Sequence, residues 1–89
     1  MLNVSYSNKF KKDFKLIKKR GYKIDKLINI LNLLINEETL PEKYFNHALT
    51  GNFIGFSECH IEPDWLLIYR IENGLLELTR TGTHSDLFK

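Results

Sequence analysis

One cysteine, two prolines and five glycines among eighty-nine residues exclude several kinds of protein at once. With Cys59 alone, no disulfide can close within the chain and no cysteine-based zinc framework can form. So few prolines and glycines exclude collagen-like and linker-like chains. No apolar run approaches the ~20 residues of a membrane span, and Met1-Leu2-Asn3-Val4-Ser5 lacks the charged-then-apolar order of a signal peptide. A soluble, cytoplasmic protein with no membrane partner is therefore expected. The chain has no glycine-rich phosphate loop, no dinucleotide fingerprint and no Ser-His-Asp signature. What it does have is the 43% apolar and 12% aromatic content of an ordinary folded domain. Its length suits a single domain, residues 1–89, around one modest core.

The net charge of +2 conceals a division along the chain. Residues 1–26 carry nine basic side chains against Asp13 and Asp25, whereas residues 27–89 carry nine acidic ones against Lys43, Arg70, Arg80 and Lys89. A basic first third suits an acidic or polyanionic partner, although a solvated helix face has the same composition.

Residues 2–6 alternate apolar and polar in the manner of a short, half-buried strand. Ser7 or Asn8 can cap the helix that follows, in which Phe10, Phe14 and Ile17 form the apolar stripe and Gly21 the stop. At ~100° per residue, Lys11, Lys12, Lys15, Lys18 and Lys19 fall in one arc opposite that stripe. Ile24, Leu27, Ile28, Leu31, Leu34 and Ile35 mark a second helix, and Leu40-Pro41 a loop. The period then becomes strand-like. Asn52 to Ile61 reads as a strand weakened at Gly55, and Glu62-Pro63-Asp64 as a tight connection. Trp65 to Ile71 and Leu75 to Thr81 form a hairpin on Asn73-Gly74, which sets Arg70 opposite Glu77. The tail is polar apart from Leu87 and Phe88. The expected class is α+β: two N-terminal helices packed on an antiparallel sheet of four to five strands.

The residues suited to chemistry lie after Pro41. His47, His60 and His84 are the side chains whose ordinary pKa is nearest neutrality, and so suit proton transfer. Taken singly, each reads as well as a surface or turn histidine. Glu58-Cys59-His60-Ile61-Glu62-Pro63-Asp64-Trp65 gathers an imidazole and several carboxylates in one strand-turn-strand corner. There Asp64 reads equally as a turn aspartate and Trp65 as a core anchor. The spacing matches no known zinc signature. Phe53, Phe56, Trp65, Tyr69 and Phe88 are aromatics able to stack bases, with more than half expected in the core.

The string from Glu58 to Tyr69, together with Arg80-Thr81-Gly82-Thr83-His84-Ser85-Asp86-Leu87-Phe88 and the upstream Asn46-His47-Ala48-Leu49-x-Gly51, resembles the YafQ-type branch of the RelE/ParE toxin superfamily. The resemblance covers essentially the whole chain. It implies the toxin of a type II toxin–antitoxin pair, a small RNase with a microbial-RNase-like fold that enters the ribosomal A site and cuts mRNA without a metal or other cofactor. A cognate antitoxin would neutralise it, and operator DNA would be met only through the antitoxin complex. The matching positions imply catalytic roles for His47, His60, Asp64 and His84, with Trp65, Arg80 and Phe88 holding substrate. Among these, Asp64 or His60 would be the base, His84 the acid, and His47 and Arg80 would stabilise phosphate charge. The five lysines would dock the ribosome or the antitoxin. Relatives usually carry basic residues where this chain has Ile54 and Ser57. The competing class is a non-catalytic, ParE-like binding module acting through a protein partner.

Overall fold

The computed structural model describes residues 1–88. The chain runs β1 (Asn3–Tyr6), α1 (Asn8–Lys19), α2 (Ile24–Ile35), β2 (His47–Ala48), β3 (Ser57–Glu62), β4 (Trp65–Glu72), β5 (Leu75–Gly82) and α3 (His84–Leu87). Short 3-10 turns at Glu42–Tyr44 and Gly51–Phe53 flank β2. The five strands make one sheet in the order β1-β5-β4-β3-β2. The α+β class and the two-helix layer are as expected. The sheet is mixed, however: β2 to β5 are antiparallel, but β1 lies parallel to β5, pairing Val4 with Leu76 and Tyr6 with Leu78. Alternation identifies β1 as a strand without setting its direction, which follows from the long-range contact.

Local signals account for the element boundaries. Ser7 Oγ accepts the Phe10 amide at 2.9 Å and donates to the Thr79 carbonyl at 2.7 Å, so the cap of α1 also ties it to β5. The expected strand from Asn52 to Ile61 is shorter than its apolar pattern. Gly51 and Gly55 hold left-handed backbone at φ 65° and 91°, and pairing with β4 begins only at Ser57. Arg70 does lie opposite Glu77, donating to its carboxylate at 2.7 and 3.1 Å.

Two apolar clusters divide the strand faces. Cys59, Ile61, Trp65, Leu67, Tyr69, Leu76 and Leu78 pack with Phe10, Ile17, Leu27, Ile30 and Leu34 of the helices. Leu66 and Ile68, which point the other way, pack with Leu87 and partly buried Leu49, Phe53 and Phe56. Trp65 belongs to the first cluster and is only 1% exposed. Its indole N–H donates to Thr81 Oγ1 at 2.9 Å, that hydroxyl donates to the Leu66 carbonyl at 2.7 Å, and Tyr22 packs edge-on against the ring. The expectation that Trp65 holds substrate is thereby corrected: burial removes it from any ligand and makes it the anchor of the core. Trp65→Ala should cost about 3–5 kcal/mol in chemical denaturation, a large share of a small domain's stability. Trp65→Phe should keep activity wherever the protein is folded.

Candidate active site

Because Cys59 and Ile61 face the helices, Glu58 and His60 of β3 face the opposite side of the sheet, beside Ile68 and Leu66 of β4. The two-residue strand β2 adds His47 directly opposite Glu58. Its approach is held by Tyr69, whose hydroxyl donates to Asn46 Oδ1 at 2.6 Å. Asp64 sits in the turn between β3 and β4, and His84 opens α3 just past the end of β5. Neither β2 nor α3 stands out in the sequence, because two strand residues and one helical turn are too short for a period to show.

These elements bring three imidazoles into a row. The rings of His47 and His60 lie 6.2 Å apart and those of His60 and His84 5.7 Å apart. In each ring Nδ1 faces an oxygen acceptor: the Phe45 carbonyl at 2.6 Å from His47, the Pro63 carbonyl at 3.3 Å from His60, and Asp64 Oδ1 at 2.6 Å from His84. A carbonyl or carboxylate can only accept, so Nδ1 donates in all three, and in His47 and His60 it is Nε2 that turns toward Glu58. Asp64 Oδ1 also accepts the His84 backbone amide at 2.9 Å. That amide, and then the imidazole, hold the Asp64 carboxyl below its ordinary range.

Glu58 is the residue that sequence reasoning passed over as a site member. It is 5% exposed, and its Oε2 lies 3.1 Å from His47 Nε2 and 3.7 Å from His60 Nε2. Its other oxygen, Oε1, is buried with no hydrogen-bond partner. A half-satisfied buried carboxylate is costly in a core, and its position between two imidazoles ties it to their charge. The available signal was its register: with Cys59 and Ile61 apolar at alternate positions, Glu58 and His60 share the other face. Cys59, by contrast, is inert, since burial pushes its thiol up to about 12.

Arg80 does not join the row as expected. Its guanidinium donates to Asp13 of α1 at 2.7 and 3.2 Å, and Asp13 also accepts the Thr81 amide. Phe88 is part-exposed and meets Phe53 edge-on at 5.8 Å. Lys11, Lys12, Lys15, Lys18 and Lys19 are all exposed on α1, in the helical layer. Ile54 is 76% exposed where a basic residue was expected from relatives.

Residues 2–89 match the family described as the bacterial toxin of type II toxin-antitoxin system, YafQ. The chain belongs to the YafQ toxin family. Its curated relatives include the mRNA interferase toxin YafQ of Escherichia coli strain K12, 44% identical over 97% of this chain and 95% of that protein. Among solved structures, YafQ in the crystal structure of the E. coli DinJ-YafQ complex is 42% identical, with a TM-score of 0.93 over 100% of both chains. A copper-bound mutant toxin from Helicobacter pylori is 36% identical with a TM-score of 0.95, covering 99% of this chain and 100% of that one. Among the described residues no group of three or more His, Cys, Asp and Glu is placed to share an ion, and the imidazoles are engaged by Glu58, Asp64 and backbone carbonyls.

The depressed Asp64 has a consequence for stability. Its contacts contribute above the unfolded carboxylate pKa of about 4 and are lost as the pH falls through the lower folded value. Thermal melts of wild type and Asp64→Asn should therefore differ above about pH 4 and converge as the pH falls through the lower folded value. A gap that persists in acid would place the stabilisation elsewhere.

Proposed function

We propose that this chain is an mRNA interferase, the toxin of a type II toxin–antitoxin pair, cutting mRNA in the ribosomal A site and neutralised by a cognate antitoxin. The observation that carries the chemistry is the 5.7 Å pairing of His60 and His84, each with Nδ1 tied and Nε2 able to exchange a proton. RNA supplies its own nucleophile. His60 Nε2 takes the 2′-OH proton, the 2′-oxygen attacks phosphorus, and the 5′-oxygen leaves with a proton from His84 Nε2, giving a 2′,3′-cyclic phosphate. The two histidines can exchange these roles. Asp64 orients His84, fixes its tautomer and balances its charge. With Arg80 committed to Asp13, stabilisation of the crowded phosphorane falls to His47, which Glu58 holds from beneath. Part-exposed Phe88 is placed to steady a base.

The relatives named as mRNA interferases and as half of a DinJ-YafQ complex support both the RNase activity and the antitoxin. The structure offers that partner a groove between α1 and α2, lined by Tyr6, Phe10, Phe14, Ile24 and Ile28 and bordered by Lys11 and Lys15. An amphipathic acidic segment would match it. Operator DNA is reached through the antitoxin complex. No helix among the described residues is long and apolar enough to cross a membrane.

Primer extension on an mRNA translated in vitro, with and without the protein, tests the reading. Codon-phased cuts are expected, and naked RNA should be cut far less. His84→Ala should lose about 10²–10⁴-fold in cleavage with its melting curve intact. Growth arrest with intact mRNA would instead favour the binding module. Lys11→Glu, Lys15→Glu and Lys18→Glu together should weaken antitoxin or ribosome binding and flatten its salt dependence, while the purified His84 chemistry is unaffected. Binding unchanged across a salt titration would return that face to plain solvation.

A further inference from the structure

An open hollow of about 480 Å³ adjoins the histidine row, lined by Lys43, Phe45, His47, His60, Glu62 and Pro63. We propose that this hollow is a nucleobase subsite in which Phe45 stacks a base of single-stranded RNA next to the bond being cut, with Lys43 meeting the adjoining phosphate. The inference rests on the RNase reading and deepens it by assigning a residue that reads the substrate.

Phe45 is the feature that asks for explanation. It is 68% exposed, although a phenyl ring gains by burial, and it holds left-handed backbone at φ 48° and ψ 46°, a conformation that a bulky residue seldom adopts. Strain of this kind persists only where surrounding contacts impose it, and it gathers at working sites. Here the contacts come from both sides: the Phe45 amide donates to the Glu42 carbonyl at 2.9 Å, and its carbonyl accepts His47 Nδ1–H at 2.6 Å. The strained residue and a candidate catalytic histidine therefore hold each other in place.

The ring stands edge-on to His60, with centroids 5.8 Å apart and planes at 69°. The exposed ring lines the hollow, one ring's distance from the proposed base. A nucleobase stacked on that ring would carry its ribose toward His60, where the 2′-OH must lie. Lys43, whose ammonium rests 5.1 Å from the Tyr44 ring centroid, supplies positive charge on the same rim. Charge is needed there because Ile54 and Ser57 offer none. Stacking is tolerant of base identity, so this subsite would set affinity and position along the codon more than sequence.

Two substitutions separate the ring from the backbone. Phe45→Gly removes the ring and relieves the left-handed strain, so it should fold at least as well as wild type. It should cut translated mRNA about ten- to a hundredfold more slowly and with a changed distribution of cuts, while Phe45→Trp stays near wild type. A direct arm uses fluorescence. The chain's only other tryptophan, Trp65, is buried, so quenching of Phe45→Trp by an uncleavable 2′-O-methyl RNA hexamer reports stacking at position 45. If wild type leaves mRNA intact but the quenching occurs, the RNase reading fails while stacking of RNA on position 45 stands. If Phe45→Gly cuts like wild type, or if the Phe45→Trp signal is unmoved by RNA at saturation, the subsite is overturned.

Discussion

The register of β3 on β4 is the constraint on which the rest of this molecule depends. Cys59 pairs with Leu67 and His60 with Leu66, so one set of side chains enters the helical core and the other builds the proposed site. A slip of β3 by one residue would drive His60 and Glu58 against the helices and expel Cys59 and Ile61 from the core, which burial of the apolar face forbids. The register is held at both sides of β4. The turn at Pro63 and Asp64 closes one, and the buried hydrogen bonds from Trp65 to Thr81 and from Thr81 to the Leu66 carbonyl lock the other to β5. Core and site are thus two faces of one hairpin.

Carboxylates in this protein act mainly as holders of cations and rings. Asp64 and Glu58 engage the imidazoles, Asp13 takes Arg80, and Glu77 takes Arg70, which also lies over the Phe56 ring with its guanidinium 4.9 Å from the centroid. Asp86 closes the capping box of α3 with Thr83 and takes both ends of Arg20 at 2.7 and 3.1 Å. The Arg20 hydrogen bonds, then the Thr83 amide, hold its carboxyl well below the ordinary range. Gly82 makes this closeness possible: at φ 153° a Cβ there would come within 2.9 Å of Asp86 Oδ2. The helix that presents His84 is therefore bolted to the end of α1 by charge and pressed to β5 by the absence of a side chain.

The division of charge along the chain acquires a meaning from these pairs. Arg20 meets Asp86 and Lys26 meets Glu62, so ionic contacts join the basic first third to the acidic remainder, and Asp13 with Arg80 adds a pair of the opposite sense. The lysines of α1 stay exposed in the helical layer, free for a partner, while the row of histidines occupies the other side of the sheet. The proposed docking face and the proposed site then lie on separate surfaces of a small domain, so a charge change on one need not disturb protons on the other.

Much of the fold was legible because its long elements repeat. The periods of α1 and α2, the Asn73-Gly74 hairpin and the Arg70–Glu77 pair are local or nearly so, and each followed from spacing alone. Among candidate site residues, His47, His60, Asp64 and His84 could be named from motif resemblance, and the structure places them together. What the sequence could not decide was long-range. The parallel seating of β1 depends on contacts more than seventy residues apart, and Arg80 met Asp13 instead of the histidines for the same reason. The burial of Trp65, the half-satisfied Glu58 and the strained Phe45 also arise only when separate segments meet. Residue types and periods determined which groups were available and which faces were apolar. Tertiary structure decided which nitrogen of each histidine was tied, because an acceptor fixes a tautomer only by standing within hydrogen-bond reach.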